Sequence, residues 1–114
     1  MKLNKTNALL LWEDNYGDCK FARDFHGNLM YREAYGDSDY FEYRNGQKIY
    51  CGWNLHHVLP KAHGGTNVAS NLLCTNILTN EAASNKITFW IDNNLYQVKR
   101  IYGLNEHEIV CLND

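Results

Sequence analysis

His56 and His57 stand side by side in the run Trp53-Asn54-Leu55-His56-His57-Val58-Leu59-Pro60, and Asn71 and Asn80 follow further along the chain. Imidazole titrates near physiological pH, so it can act as a base on water, and its neutral ring is a common metal ligand. Adjacent side chains on a flat strand point to opposite faces, so a His-His pair can share one small site only at a strand end. Pro60 provides such an end. There one imidazole can bind a cation while its neighbour acts on a water molecule beside the metal. Asn71 and Asn80 can add a loop clamp and a neutral oxygen ligand.

The surrounding residues predict the elements that hold these groups. Residues 53–58 read as a strand that stops at Pro60, a polar loop carries Gly64-Gly65-Thr66-Asn67, and residues 71–74 resume an extended apolar segment. Residues 78–86 contain Glu81, Ala82, Ala83 and Lys86, good helix formers, with Thr79 or Asn80 as the cap. Upstream, Thr6 is placed to cap a short helix carrying Leu9, Leu10 and Trp12 that Tyr16-Gly17 closes. Three pairs of segments read as β-hairpins: 21–25 with 29–31, 40–43 with 48–50 around Asn45-Gly46, and 87–91 with 95–101. The polar tail from Gly103 receives no assignment.

Taken together, His56-His57-Val58-Leu59-Pro60, Gly64-Gly65, Asn71-Leu72 and Asn80 resemble the ββα-metal site of HNH endonucleases, over about residues 52–86. In that family an Asp-His or His-His pair, a proline, a Gly-Gly loop, Asn-Leu and a helical His or Asn follow in this order. The resemblance implies an α+β fold with a ββα-metal HNH site flanked by β-hairpins and a short N-terminal helix. It implies His57 as the general base, Asn71 as the loop-fixing asparagine of the catalytic site, and His56 and Asn80 as metal ligands. Lys61, His63 and Lys86 are the candidate nucleic-acid contacts. The implied cofactor is a divalent ion, Mg²⁺ first, with Mn²⁺, Ni²⁺ or Zn²⁺ as alternatives. The implied reaction is hydrolysis of DNA, preferably duplex, leaving 5′-phosphate and 3′-hydroxyl ends. Two departures stand out: many relatives carry Asp where His56 stands, and Ser84 sits where three-histidine relatives carry a third ligand. The bracing cysteine pairs of many relatives are also absent.

At 114 residues the chain is long enough for one compact core, so residues 1–114 read as a single domain with an N-terminal accessory region, 1–51. Aromatics make up 13%, with eight Tyr, which suggests strand-rich packing. Net charge is −2, which argues against a general DNA-coating role but not against a nuclease whose bound ion supplies local positive charge. Cys19, Cys51, Cys74 and Cys111 form no C-x-x-C pair and read as reduced core thiols. The apolar run 8–12 is too short for a signal peptide or membrane span, so a cytoplasmic protein without a membrane partner is expected.

Each residue also has a plainer reading. His57 can be a strand-end histidine satisfied by a backbone carbonyl, and His63 a solvated loop residue. Asn71 can simply bond its own turn. Asn85 competes with Asn80 for the ligand position. Lys61, Lys86, Lys99 and Arg100 can be ordinary surface charge, and Glu13, Asp14 and Asp24 caps, turns or surface carboxylates. Two other function classes stay open: a catalytically weak nucleic-acid-binding module, and a protein-interaction subunit that uses its tyrosines as contact surface.

Overall fold

The computed structural model describes residues 1–113 and has an α+β architecture of two α-helices and small antiparallel sheets. Helix α1 (Lys5–Tyr16) buries Ala8, Leu11 and Trp12, while Leu10 turns outward. Its cap is Asn4 and not Thr6: Asn4 has extended backbone, and its Oδ1 accepts the Asn7 N–H at 2.9 Å, so the helix begins earlier than expected. Gly17 closes the helix in the left-handed region (φ 62°), donating its N–H to Glu13 O.

Strands β1 (Phe21–Arg23) and β2 (Leu29–Tyr31) form the first hairpin. Phe25 lies outside β1, because Asp24 ends the strand by accepting the N–H groups of His26 and Asn28 on Oδ1, at 3.0 and 2.9 Å. Its Oδ2 accepts the Asn76 N–H at 3.0 Å. Asp24 is therefore a turn carboxylate that is buried, not a surface one. Strands β3 (Phe41–Arg44) and β4 (Gln47–Tyr50) meet at Asn45-Gly46, both at positive φ, as a tight two-residue turn requires.

Strands β5 (Trp53–His57) and β6 (Leu72–Asn76) pair antiparallel, with His56 opposite Leu73 and His57 opposite Leu72. Helix α2 (Ile77–Ala83) follows without a loop. It is shorter than expected, and neither Thr79 nor Asn80 caps it: Asn76 does, through Oδ1 to the Leu78 N–H, and Ser84 ends it at φ 52°. Strands β7 (Thr88–Ile91), β8 (Asn94–Arg100) and β9 (His107–Cys111) form the last sheet. The tail from Gly103 thus contains a strand, which takes its register from β8.

Period-two alternation divides β5 between two jobs. Trp53 and Leu55 enter a core with Ala8, Leu11, Trp12, Met30, Leu72 and Cys74, so residues before and after position 52 share one interior. Trp12 packs against Trp53 with ring centroids 5.0 Å apart. Asn54 and His56 occupy the opposite face, beside α2. A second cluster of Val58, Ala83, Phe89, Ile91, Tyr96 and Val98 seats the last sheet under α2. His26 pins two turns together, donating from Nε2 to Asp92 Oδ2 and accepting the Tyr96 hydroxyl on Nδ1, both at 2.7 Å. No helix among the described residues is long and apolar enough to cross a membrane.

The four cysteines are free; Cys51 and Cys74 are buried, Cys111 is half-buried, and Cys19 is exposed. Burial pushes the Cys74 thiol up to about 12, so it holds almost no thiolate at neutral pH. In a timed alkylation at mild pH, Cys19 should label at once and Cys74 only on unfolding. Rapid modification of Cys74 in the native protein would show that its cover opens freely.

Candidate functional site

Where β5 ends, Val58 leaves the ladder but keeps one strand-like bond, donating its N–H to Asn71 O at 2.9 Å. The chain from Leu59 to Ser70 then forms a loop that Asn71 closes. Asn71 Oδ1 accepts the Leu59 N–H at 2.9 Å, and its Nδ2 donates to Leu59 O at 3.1 Å and to Thr66 O at 3.0 Å. Gly65 lies so close beneath that a Cβ there would stand 1.7 Å from Leu59 O. Glycine is required at this position by contact with backbone.

His56, His57, Lys61, Asn80, Ser84 and Asn85 border one cleft of about 290 Å³. His56 is buried and His57 half-buried. The His56 Nδ1 donates to Asn80 Oδ1 at 2.6 Å, and Asn80 Nδ2 donates to Asn54 Oδ1 at 2.7 Å. Asn54 therefore turns the amide so that its oxygen meets His56. Because Asn54 lies two residues before His56 on the strand, period-two alternation places both on one face, a signal already present in the sequence.

His57 Nε2 donates to Asn67 Oδ1 at 2.6 Å. The acceptor is a side-chain amide, not the backbone carbonyl of the plainer reading. An amide oxygen can only accept, so this bond keeps the proton on Nε2 and leaves the lone pair of the neutral ring on Nδ1. Asn67 sits in the polar loop, and no local signal marks it as the partner of His57.

Burial holds His56 below its ordinary imidazole value and the adjacent His57 adds to that, while the Asn80 bond and the Asp24 carboxylate oppose it. His56 is thus biased toward the neutral, ligating form. The donor pair is one imidazole nitrogen and one amide oxygen, both neutral, beside an open cleft of mixed lining. Such a pair could hold a hard ion that keeps most of its water. Binding there requires the other neutral tautomer of His56, with the proton on Nε2. Among the described residues no three His, Cys, Asp or Glu side chains gather as a metal cluster.

Lys61 reaches the cleft from the turn after Pro60, whereas His63, in the same turn, and Lys86, beyond α2, are exposed and do not line it. Lys99 and Arg100 are exposed on β8, away from the cleft lining. Ser84 and Asn85 border the cleft, but Asn80 is the amide bonded to His56. Glu13 pairs with Arg32 at 3.0 Å, and Asp14 is exposed on α1. Comparison with known proteins finds no matching family model, no matching curated protein and no matching solved structure.

Proposed function

We propose that the chain is a metal-dependent endonuclease of the HNH type, hydrolysing DNA phosphodiester bonds, with β5, β6 and α2 as its ββα-metal unit. The observation that supports this most is the meeting of His56, His57 and Asn80 at one cleft, beside a loop closed by Asn71. In this reading His57 takes the proton of the attacking water on Nδ1, while Asn67 holds the ring in the tautomer that leaves Nδ1 free. His56 and Asn80 hold a divalent ion, Mg²⁺ by the hardness of an amide oxygen and the lack of thiolates. When bound, such an ion stabilises the negative charge that gathers on the phosphate and the leaving 3′ oxygen. Lys61 meets a neighbouring phosphate. Asn71 acts through the loop it closes and is a positioning residue.

A nucleic-acid-binding module without useful catalysis is the second reading, favoured by a donor pair that lacks any carboxylate. Incubating the protein with supercoiled plasmid in Mg²⁺, Mn²⁺ or chelator separates the two. Nicking that chelator abolishes supports the nuclease; DNA binding with no cleavage in either metal moves the assignment to the module.

The metal assignment has its own test. His56→Ala and Asn80→Ala should each weaken Mn²⁺ binding, read by titration calorimetry, and Asn80→Asp should strengthen it by adding a charge. An ion ligated elsewhere in a metal-soaked crystal, by His63 for example, would refute the pair.

A further inference from the structure

Phe41, Tyr43, Lys48 and Tyr50 share one face of the β3–β4 hairpin, because Phe41 pairs with Tyr50 and Tyr43 with Lys48 across the strands. None of them belongs to either core cluster. The Lys48 ammonium lies 4.2 Å from the Phe41 ring centroid and 5.3 Å from that of Tyr50, and Phe41 meets both tyrosines edge-on. These contacts hold the rings together on a face that lies outside both core clusters. They do not explain Tyr43, which is 67% exposed.

Lys48 carries the charge among the four side chains of this face, while Asp39 and Glu81 line the cavity at its root. Glu42 is on the opposite face, where it accepts the Tyr40 hydroxyl at 2.6 Å. Among the described residues Arg32 is the only lysine or arginine in an ion pair, so Lys48 has no carboxylate partner. Nor has Arg44, whose guanidinium stacks over Phe21 on the other face. Exposed rings with an unpaired ammonium among them match a chain that alternates flat rings with negative charges. The rings alone suit a protein interface, whose centre is enriched in aromatics, but such centres are depleted in lysine, and Lys48 stands among the rings here.

We infer that this hairpin face binds single-stranded nucleic acid, stacking a base on Tyr43 and holding a phosphate against Lys48. A duplex hides its base faces in the helix, whereas an unpaired strand offers them to any ring, which makes the site tolerant of sequence. The hairpin leads through Cys51-Gly52 directly into β5, which carries His56. At its root Tyr50 borders a cavity of about 340 Å³ with Leu78 and Glu81 of α2, the helix that also carries Asn80. The binding does not depend on cleavage at His57, and a duplex with an unpaired segment can engage both regions.

The test uses the intact chain in chelator and fluorescence anisotropy of a labelled oligothymidylate, single-stranded or annealed to its complement. The single strand should bind more tightly than the duplex. Tyr43→Ala should weaken single-strand binding about 5- to 150-fold, the range expected for one base stack. Tyr43→Phe should keep it, and Lys48→Ala should lower the salt slope by about 0.7. Equal affinity of Tyr43→Ala and wild type overturns the proposal, as does a preference for duplex. A Tyr43→Ala substitution that instead dissociates a wild-type dimer in sedimentation gives the face to a second copy and also overturns it. Plasmid cleavage is scored separately: Tyr43-dependent binding without cleavage keeps this inference and removes the nuclease, and cleavage with Tyr43-independent binding does the reverse.

Discussion

Replacing His57 by Ala should lower the single-turnover rate of DNA nicking by about 10² to 10⁴ while leaving the fold and metal affinity near wild type. His57 is half-buried and belongs to neither core cluster, so its removal opens no cavity in the interior. Its hydrogen-bond partner, Asn67 Oδ1, is reachable by water once the ring is gone, and neither proposed ligand, His56 or Asn80, is hydrogen-bonded to His57. What is lost is the lone pair on Nδ1. Asn67→Ala should have a smaller effect in the same direction, because the ring survives but is free to turn and to exchange tautomers. Its signature is spectroscopic: ¹⁵N spectra of the His57 ring should show one neutral tautomer in the wild type and a mixture in the variant. Nicking by His57→Ala at the wild-type rate would remove His57 from the mechanism.

Much of the positioning was legible because it is local. Asn45-Gly46 demands the turn it makes, and the alternation in residues 53–57 sends Trp53 and Leu55 inward and His56 to the other face. The caps differ from the expected Thr6, Thr79 and Asn80 because a cap depends on the backbone angles with which the chain enters a helix, and Asn4 and Asn76 enter with the non-helical ψ that a cap requires. Strand β9 could not be read from its own residues, since a short mixed segment becomes a strand by finding β8 beside it. The same holds for the contacts that join the site to the rest of the fold. Asp24 reaches the N–H of Asn76, and Asn80 reaches Asn54, across separations that no spacing rule spans. Order along the chain made His56, His57, Asn71 and Asn80 candidates; their distances needed the fold.

Asn71→Ala should be the most destabilising single change at the site. Asn71 is 8% exposed, and its amide satisfies three backbone groups of the loop: the Leu59 N–H, the Leu59 carbonyl and the Thr66 carbonyl. In effect the side chain extends the β5–β6 ladder by one more pair after His57. Alanine leaves all three groups without their partner; a stranded buried group costs about 1–3 kcal/mol, and less at the exposed Thr66, where water reaches the carbonyl. Water can enter from the small cavity bordered by Leu59, Gly65 and Asn71 and recover part of this. The net loss should be about 2–4 kcal/mol, a large share of the 5–15 kcal/mol that holds a typical domain. Asn71→Asp should not rescue it, because a carboxylate keeps an acceptor for Leu59 N–H but turns its second oxygen toward two carbonyl oxygens. Urea unfolding in chelator measures the stability term alone, and nicking at a temperature where the variant is still folded measures the loop's hold on His57. Stability within about 0.5 kcal/mol of wild type, the range of an ordinary surface change, would mean that the loop closes without Asn71. A loss of stability with full activity in the folded variant would confine Asn71 to holding the loop and free His57 from depending on it.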